Sequence, residues 1–330
     1  MALNEKMKNL LSLLLRIGLS GALMTYLFSK IDTAKMLEII KSADIGYIGI
    51  AASAFAFING ILLIRWIIFI RALGLKVSIA SVTNCFFIGL FFNLFLPSST
   101  GGDVVKTIGL FRDTADKARV VASVVADRLS GFVSIVMVAL VAFIFGYRFV
   151  NDNSLLIFIA ILASVSGGLV IFLFNETLFS FICRIFDRLP KIKESFMRLH
   201  FAIVLLKGKP KTLLAAVACS SLSQAILACI FFLVAKGLHQ EIPLIYFLIF
   251  VPLICVISSL PSIGGLGVRE GGAAYLFAKV GVETSVIVSI SLVSFLFMVV
   301  MGLIGGLVYI VALSCKTKIA DQLKADPQGT

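Results

Sequence analysis

Charged residues are scarce in this sequence of 330 residues, and their scarcity excludes an ordinary soluble domain. Only 14% of the residues are charged, whereas 60% are hydrophobic. Soluble domains contain about 25% charged and about 45–50% apolar residues, so a soluble core would not absorb this surplus. The apolar residues form continuous runs of about 17 to 29, which suit helices that cross a hydrocarbon layer about 30 Å thick, not alternating barrel strands. We therefore predict an all-α polytopic membrane protein.

Histidine and cysteine are also too few and too scattered to suggest a chemical centre. The chain has two histidines and six cysteines, without a CxxC pair or a histidine at ligand spacing. We therefore expect no bound metal and no cofactor. A Walker lysine is missing as well, so we expect no ATPase activity. The basic residues behind the net charge of +12 lie between apolar runs, which favours a membrane surface over nucleic acid.

Six apolar runs are long enough to be membrane spans. They cover residues 10–28, 45–70, 120–146, 154–174, 212–235 and 286–313. The first contains Arg16 and lacks a clear cleavage pattern, so we interpret it as a retained helix rather than a signal peptide. The connectors 31–43 and 178–205 mix apolar and charged residues and predict amphipathic helices at the membrane interface.

Two further apolar runs, residues 79–96 and 244–260, lead into a break that contains Pro-Ser and Gly-Gly. The break frees backbone amides and carbonyls that lipid cannot satisfy, so protein or a water-filled cavity must surround it. We predict that both segments are re-entrant hairpins, which leave the membrane on the side that they entered. Short cytoplasmic loops should hold most Lys and Arg residues, and this bias holds only if neither hairpin crosses. Both termini are then cytoplasmic.

The same arrangement predicts an internal repeat within a single transmembrane domain that covers residues 1–330. Residues 1–150 and 151–320 each supply three transmembrane helices and one hairpin, and a short polar tail covers 321–330. An odd number of crossings inserts the second half upside down, which makes the halves inverted-topology repeats. Leu96-Pro97-Ser98 and Leu260-Pro261-Ser262 occupy the same place in the two halves, although chance also produces matches this short.

The first hairpin carries hydroxyl and glycine residues where a helix restarts. These candidate residues are Pro97, Ser98, Ser99, Thr100, Gly101, Gly102 and Asp103. The amides of a helix start attract an anion such as a phosphate, so the break is a candidate site for a lipid phosphate. A tight turn whose hydroxyls cap the next helix explains the same residues equally well.

The second hairpin combines glycines with two charged side chains. Its candidate residues are Pro261, Ser262, Gly264, Gly265, Arg269 and Glu270. A charge inside the membrane costs about 2.5–3.5 kcal/mol even on the mildest scale, so such residues usually face a cavity or a partner and tend to be functional. The alternative for Arg269 and Glu270 is a structural ion pair that links the hairpin to the third span.

Asp127 and Arg128 lie about two turns inside the third span, too deep for ordinary head-group residues if that span begins at residue 120. Neighbouring helix positions point about 100° apart, so we expect one to face the first hairpin while the other pairs with Asp103 or Lys106. A shifted helix start would make both merely interfacial.

Uncharged polar residues within apolar runs are predicted to hydrogen-bond across helices. They are Asn59, Asn84, Asn93, Ser220, Ser221, Ser223 and Gln224.

Two stretches resemble a known family. Residues 96–131 contain Pro-Ser, Gly-Gly-Asp and Asp-Arg-Leu-Ser-Gly elements, and residues 261–272 contain Gly-Gly-Leu-Gly-Val-Arg-Glu-Gly. They are similar to the flippase-like family related to the membrane region of lysylphosphatidylglycerol synthases, and the resemblance covers almost the whole chain. It implies a bacterial or archaeal cytoplasmic-membrane protein that moves a lipid between leaflets. This chain ends near Thr330 without the soluble catalytic domain of the synthases, so we do not expect synthase activity.

The resemblance also implies which residues surround the lipid path. They are Pro97, Gly101, Gly102, Asp103, Asp127 and Arg128 with Pro261, Gly264, Gly265, Arg269 and Glu270. The leading hypothesis is a lipid translocase, not an enzyme, whose hairpin tips meet in a polar cavity near the midplane. Arg128, Arg269 and the hairpin amides would hold an anionic head group, and Asp127 and Glu270 would pair with these arginines in the empty site.

Two alternatives stay open. A secondary transporter for a small anion or organic solute uses the same inverted-repeat logic. An intramembrane enzyme that modifies lipid head groups is the other, although His, Cys or clustered carboxylates would be expected for it. For the translocase, the expected partners are membrane lipids and an enzyme that makes or uses the transported lipid.

Overall fold

Long helices account for most of the chain in the computed structural model, which describes residues 33–95, 101–150, 153–175, 177–179, 197, 199–259 and 265–325. In chain order, its helices are α1 Thr33–Lys41, α2 Ile45–Ala72, α3 Ile79–Phe95, α4 Gly101–Leu110, α5 Lys117–Val150, α6 Asn153–Phe174, α7 Pro210–Gly237, α8 Leu244–Ile257, α9 Val268–Ala278 and α10 Thr284–Ala325. The described residues contain no β-strand, which confirms the predicted all-α class.

Five of the described helices are long and apolar enough to cross a membrane. They are α2, α5, α6, α7 and α10, with candidate spans at Ile45–Ala72, Lys117–Gly146, Leu155–Phe174, Pro210–Gly237 and Thr284–Ala312. Each contains or closely matches a predicted span, because continuous apolar length decides where a helix is stable in lipid. The predicted first span, residues 10–28, lies outside the described residues.

Both predicted hairpins begin with a short helix. α3 has 17 residues and α8 has 14, which correspond to about 26 Å and about 21 Å at 1.5 Å per residue. Both lengths are below the hydrocarbon thickness of about 30 Å. A second short helix follows each, α4 after α3 and α9 after α8. Turns at residues 258–259 and 265–267 confirm that a break follows α8. The first predicted break, residues 96–100, lies outside the described residues, and re-entry on one side of the membrane stays a prediction.

The amphipathic connectors are helical where the structure describes them. The predicted helix 31–43 corresponds to α1, whose Lys35 Nζ donates to Glu283 Oε2 at 2.5 Å just before α10 begins. In the predicted helix 178–205, residues 199–204 are helical, and most of the basic residues lie outside the described ranges. The first connector thus packs on the last span instead of lying apart from the bundle.

The two predicted halves pack against each other crosswise. α10 lies along α3, where a Cβ at Gly305 would be 2.1 Å from the carbonyl oxygen of Phe87. α5 lies along α8 in a similar way, and a Cβ at Gly146 would be 2.8 Å from the side chain of Ile245. Glycine permits such close helix contacts in membranes. The last span of each predicted half thus packs on the hairpin of the other half, and the inverted repeat itself stays a prediction.

The contact between α2 and α7 positions the site. Asp44 caps α2, because its Oδ1 accepts from the Gly46 amide at 2.7 Å. The Asp44 amide donates to the carbonyl oxygen of Gly237 at 2.7 Å, which ties the start of α2 to the end of α7. Further along the two helices, Arg65 Nη1 donates to Ser220 Oγ at 2.8 Å. Polar contacts therefore join α2 and α7 at two separate places, with apolar residues such as Ile58 and Phe231 packed between them.

Candidate functional site

Five charged side chains meet inside the helix bundle, between α2, α4 and α5. This charged cluster consists of Arg65, Asp103, Lys106, Asp127 and Arg128. Four of its members are buried, whereas the Arg128 side chain is 39% exposed. Buried charges are costly unless they are paired and hydrogen-bonded, so the cluster needs an explanation in terms of its contacts.

The members of the charged cluster form one continuous network. Arg65 Nε donates to Asp127 Oδ1 at 2.7 Å. Lys106 Nζ lies 2.9 Å from Asp103 Oδ1 and 3.7 Å from Asp127 Oδ2, and 4.8 Å from the centre of the Trp66 ring. Arg128 Nε donates to Asp103 Oδ2. Each carboxylate therefore contacts two cationic side chains, and α2, α4 and α5 are held together through them.

The charged cluster carries more positive than negative charge. Its three cations and two carboxylates leave a formal charge of +1. Neither hairpin break can neutralise it, because residues 96–100 and 260–264 contain no charged side chain. Charges interact strongly where water is excluded, so this surplus favours an anion beside the network.

Asp127 and Arg128 both reach the first hairpin, but through different partners. Asp127 contacts Lys106 of α4 as well as Arg65, whereas Arg128 contacts Asp103 of α4. The expectation that Asp127 pairs with Arg128 in the empty site is wrong. The two side chains leave α5 about 100° apart, and each meets a different partner on a neighbouring helix.

The start of α4 is tightly packed against α3. The Gly102 amide donates to Asn93 Oδ1 at 2.8 Å, and Gly101, Gly102 and Asp103 are buried. A Cβ at Gly102 would lie 2.1 Å from the carbonyl oxygen of Gly89, so only glycine fits there. The Gly102 amide is therefore already occupied by Asn93. Pro97, Ser98, Ser99 and Thr100, the rest of the predicted anion site, lie outside the described residues.

A polar cavity of about 260 Å³ adjoins the charged cluster. All five members of the cluster line it, together with Asn93, Gly102 and Gln224, and with Cys255 and Ser259 from the end of α8 and its following turn. Both halves of the chain therefore contribute to its wall. Other lining residues are apolar side chains and glycines of α2, α3 and α5.

An apolar groove of about 460 Å³ lies beside this cavity, between α4, α5 and α6. Its lining includes Val104 and Ile108 of α4 and Leu169 of α6, which are all largely exposed. Asp103, Arg128 and Phe132 line both the groove and the cavity. Arg128 thus stands where a hydrocarbon-like surface meets a charged one.

The second hairpin holds its charges in a closed ion pair. Glu270 is fully buried and accepts from Arg269, from the Gly267 amide at 2.8 Å and from Ser291 Oγ at 3.2 Å. Arg269 Nε also donates to Ser291 Oγ at 3.1 Å, and its guanidinium lies 4.8 Å from the Phe295 ring centre. This pair links the hairpin to α10, the last span, and not to the third span as the structural alternative supposed.

The structure brings together only part of the predicted site. Gly102, Asp103, Asp127 and Arg128 line the cavity, whereas Gly265, Arg269 and Glu270 do not. Gly265 has a φ of 78°, which favours glycine, and it packs beside Ser258. Pro261, Ser262 and Gly264 are outside the described residues, and so is the predicted meeting of the hairpin tips.

The uncharged polar residues form fewer interhelical bonds than predicted. Asn93 and Ser220 do bond across helices, to Gly102 and Arg65. Asn59 and Ser223 instead donate to carbonyl oxygens of their own helices, at 2.8 Å each. Ser221 Oγ and Gln224 Oε1 are buried without a hydrogen-bond partner among the described residues. Helix-internal bonds compete with interhelical ones wherever the i−4 carbonyl is in reach.

Arg65 and Lys106 are the members of the charged cluster that the predicted site omits. A signal for Arg65 was present, because a basic residue inside the apolar run 45–70 is costly without a partner.

No group of three or more His, Cys, Asp or Glu side chains in the described part of the chain could hold a metal ion.

Comparisons with known proteins agree with the membrane architecture. The family model described as the lysylphosphatidylglycerol synthase TM region matches residues 13–306. The UPF0104 membrane protein PH1989 of Pyrococcus horikoshii is 26% identical over 310 residues, which cover 85% of this chain and 90% of that protein. No solved structure matches the chain.

Proposed function

The chain belongs to the family of the lysylphosphatidylglycerol synthase transmembrane region, and we propose that it is a lipid translocase. In this proposal it moves a lipid with an anionic head group between the two leaflets. The lipid is a phospholipid or an isoprenoid-phosphate lipid, and a partner enzyme makes or uses it. The chain itself acts without chemistry on the lipid, in the cytoplasmic membrane of a bacterium or archaeon, with both termini on the cytoplasmic side.

The position of Arg128 is the observation that carries the proposal. A lipid has a charged head group joined to apolar chains, and Arg128 lies between a polar cavity and an apolar groove. The head group would enter the cavity while a chain lies against Val104, Ile108 and Leu169 in the groove. A soluble solute has no use for the groove, so the shape favours an amphiphile.

The charge of the cluster favours a phosphate as the polar group. The formal surplus of +1 attracts an anion, and the Arg128 guanidinium offers a planar pair of donors that matches phosphate oxygens. Arg128 is the most exposed of the five side chains at 39%, so a ligand can reach it without breaking the pair of Arg65 and Asp127. The buried members would hold the site open while Arg128 binds.

A secondary transporter for a small anion is the second candidate, and the cavity volume supports it. A space of about 260 Å³ accommodates a phosphate-sized solute without any tail. The two candidates differ in one respect that an experiment measures. Lipid translocation changes the leaflet of a membrane-bound molecule, whereas solute transport changes the content of the vesicle lumen.

Reconstitution into liposomes tests the proposal. Vesicles with acyl-labelled phosphatidylglycerol or a labelled polyprenyl phosphate are made with the native chain, with Arg128→Gln and with Arg119→Gln. Hydrogen bonds to charged groups contribute about 1.5–3 kcal/mol, so Arg128→Gln should slow head-group movement about tenfold or more. Arg119, on the same helix, forms an exposed pair with Asp116, and its replacement should leave the rate within about twofold.

Three results would count against translocation. Head-group movement no faster than in protein-free vesicles, for every lipid tried, would contradict it. Uptake of radiolabelled phosphate into the lumen, with no lipid movement, would favour the small-anion transporter instead. A chemically altered head group, recovered after extraction, would indicate an enzyme.

A further inference from the structure

Gln224 differs from the other polar residues of the cavity because no donor in the described part of the chain reaches its side-chain oxygen. It lies on α7 one turn after Ser220, which accepts from Arg65 Nη1 at 2.8 Å. Its Oε1 is shielded from solvent, and no hydrogen-bond donor of the described residues reaches it. Most buried polar atoms in folded proteins are paired, so an unpaired acceptor in a binding cavity is a candidate ligand contact.

The charged part of the cavity offers the opposite chemistry. Arg65, Lys106 and Arg128 side chains only donate hydrogen bonds. The carboxylates of Asp103 and Asp127 already accept from these cations. An anion therefore suits the cationic side, but a fully ionised anion has no proton to donate to Gln224. A ligand that satisfies both requirements carries a phosphate and, close to it, a hydroxyl or ammonium donor.

We propose that Gln224 selects the head group by accepting a hydrogen bond from a hydroxyl or ammonium group, while the phosphate of the same lipid lies against Arg128. This inference rests on the proposed lipid translocation and adds to it the chemical class of the substrate. A phosphodiester whose head group ends in a donor is preferred over one of equal charge whose donor is absent. A site built to bond a polar group rejects an analogue without it, because its own polar atom is then left unpaired.

Two lipids of equal charge separate this effect from electrostatics. Labelled phosphatidylglycerol carries hydroxyl donors on its head group, whereas labelled phosphatidylmethanol carries none. The full chain in liposomes should move phosphatidylglycerol about fivefold faster, the effect of one neutral hydrogen bond. Gln224→Met keeps the side-chain length and removes the acceptor. It should bring the ratio of the two rates close to one by slowing phosphatidylglycerol alone.

Ser221→Ala is the matched control for this experiment. The Ser221 hydroxyl is also buried on α7 without a partner among the described residues, but it does not line the cavity. Its removal should leave the ratio of rates unchanged. Gln224→Asn serves if the Met variant fails to fold, because its shorter amide should lower the ratio only partly.

The possible failures of the two proposals are distinct. Equal rates for both lipids in the native protein would overturn the role of Gln224 and leave translocation standing. A Gln224→Met protein that keeps the ratio, or that slows both lipids equally, would do the same. No movement of any lipid would overturn translocation, and the selectivity with it. Uptake of inorganic phosphate into the lumen, with no movement of any lipid, would assign the cavity to a soluble anion.

Discussion

Arg65 on α2 and Asp127 on α5 form a buried ion pair, with 2.7 Å between Nε and Oδ1. The side chains are only 10% and 7% exposed, so water contributes little to their solvation. Removing one partner of such a pair leaves an uncompensated charge, which costs more than the pair itself contributes. Arg65 therefore holds the charged cluster in place, whereas the proposed translocation assigns contact with the lipid head group to the more exposed Arg128.

Replacement of Arg65 should destabilise the protein strongly. Arg65→Met leaves Asp127 with Lys106 as its remaining cation, at 3.7 Å. We expect a loss of about 3–5 kcal/mol in the free energy of unfolding, measured by chemical denaturation in detergent. The double variant Arg65→Met with Asp127→Leu should recover part of this loss, because both charges are then absent.

The control for this prediction lies on the same helix. Arg71 is exposed near the end of α2, and Arg71→Met should change the unfolding free energy by less than about 0.5 kcal/mol. A double variant as unstable as Arg65→Met alone would show that shape, and not the unpaired charge, dominates the cost.

The ion pair of the second hairpin should matter for stability and not for lipid selection. Glu270 accepts from Arg269, Ser291 and the Gly267 amide, and Glu270→Gln leaves the Arg269 charge without its counterion. We expect a loss of about 3 kcal/mol in unfolding free energy, with the head-group preference of the folded protein unchanged. Glu241→Gln, at an exposed carboxylate before α8, should change neither quantity. A Glu270→Gln protein that has native stability but moves no lipid would contradict a purely structural role and would indicate that Glu270 contacts the lipid.

Apolar length and two sequence breaks were enough to predict most of the architecture. The five candidate spans coincide with predicted ones because each run exceeds the length that a bilayer requires. The breaks after α3 and α8 could be predicted because Pro and Gly residues follow the apolar run of each hairpin. Both features are local in the sequence, so they predict the helices without any knowledge of which helices touch.

The contacts inside the site depend on which helices touch, and the sequence states this only indirectly. The sequence predicts both Arg269 with Glu270 and Asp127 with Arg128 as site residues. In the structure, Ser291 of α10 forms hydrogen bonds with Arg269 and Glu270. Arg65 lies far from Asp127 in sequence, and only the packing of α2 on α5 brings them together. That no donor among the described residues reaches Gln224 Oε1 likewise depends on how the neighbouring helices pack.

Acid should loosen the docking of α1 on α10. The hydrogen bond from Lys35, with another from Ser285, lowers the pKa of Glu283 from its ordinary value of 4.5. A carboxyl whose folded pKa is depressed stabilises the fold above its unfolded pKa, and this contribution is lost as the pH falls through the folded pKa. Native protein should therefore exceed Lys35→Met in stability at pH 7, and the difference should vanish on acidification below 4.5.

Thermal unfolding at several pH values measures this difference. Both side chains are about half exposed, so 1 M salt should also shrink it by screening. Lys41→Met, on the same helix α1, should show no comparable pH dependence. A difference between native protein and Lys35→Met that grows on acidification would contradict the assignment to the Glu283 carboxylate.

The apolar groove provides the sharpest separation between a lipid and a soluble substrate. Leu169 of α6 lines the groove, and its side chain is exposed enough that Leu169→Trp should fold and partly fill the space where a lipid chain would lie. Lipid movement should slow about tenfold if chain burial in the groove contributes about 1.4 kcal/mol. Leu156 on the same helix has the same exposure, 42%, and does not line the groove, so Leu156→Trp should retain the native rate. Equal rates for the two variants would remove the groove from the lipid path, and the charged cavity alone would then fit a soluble anion better.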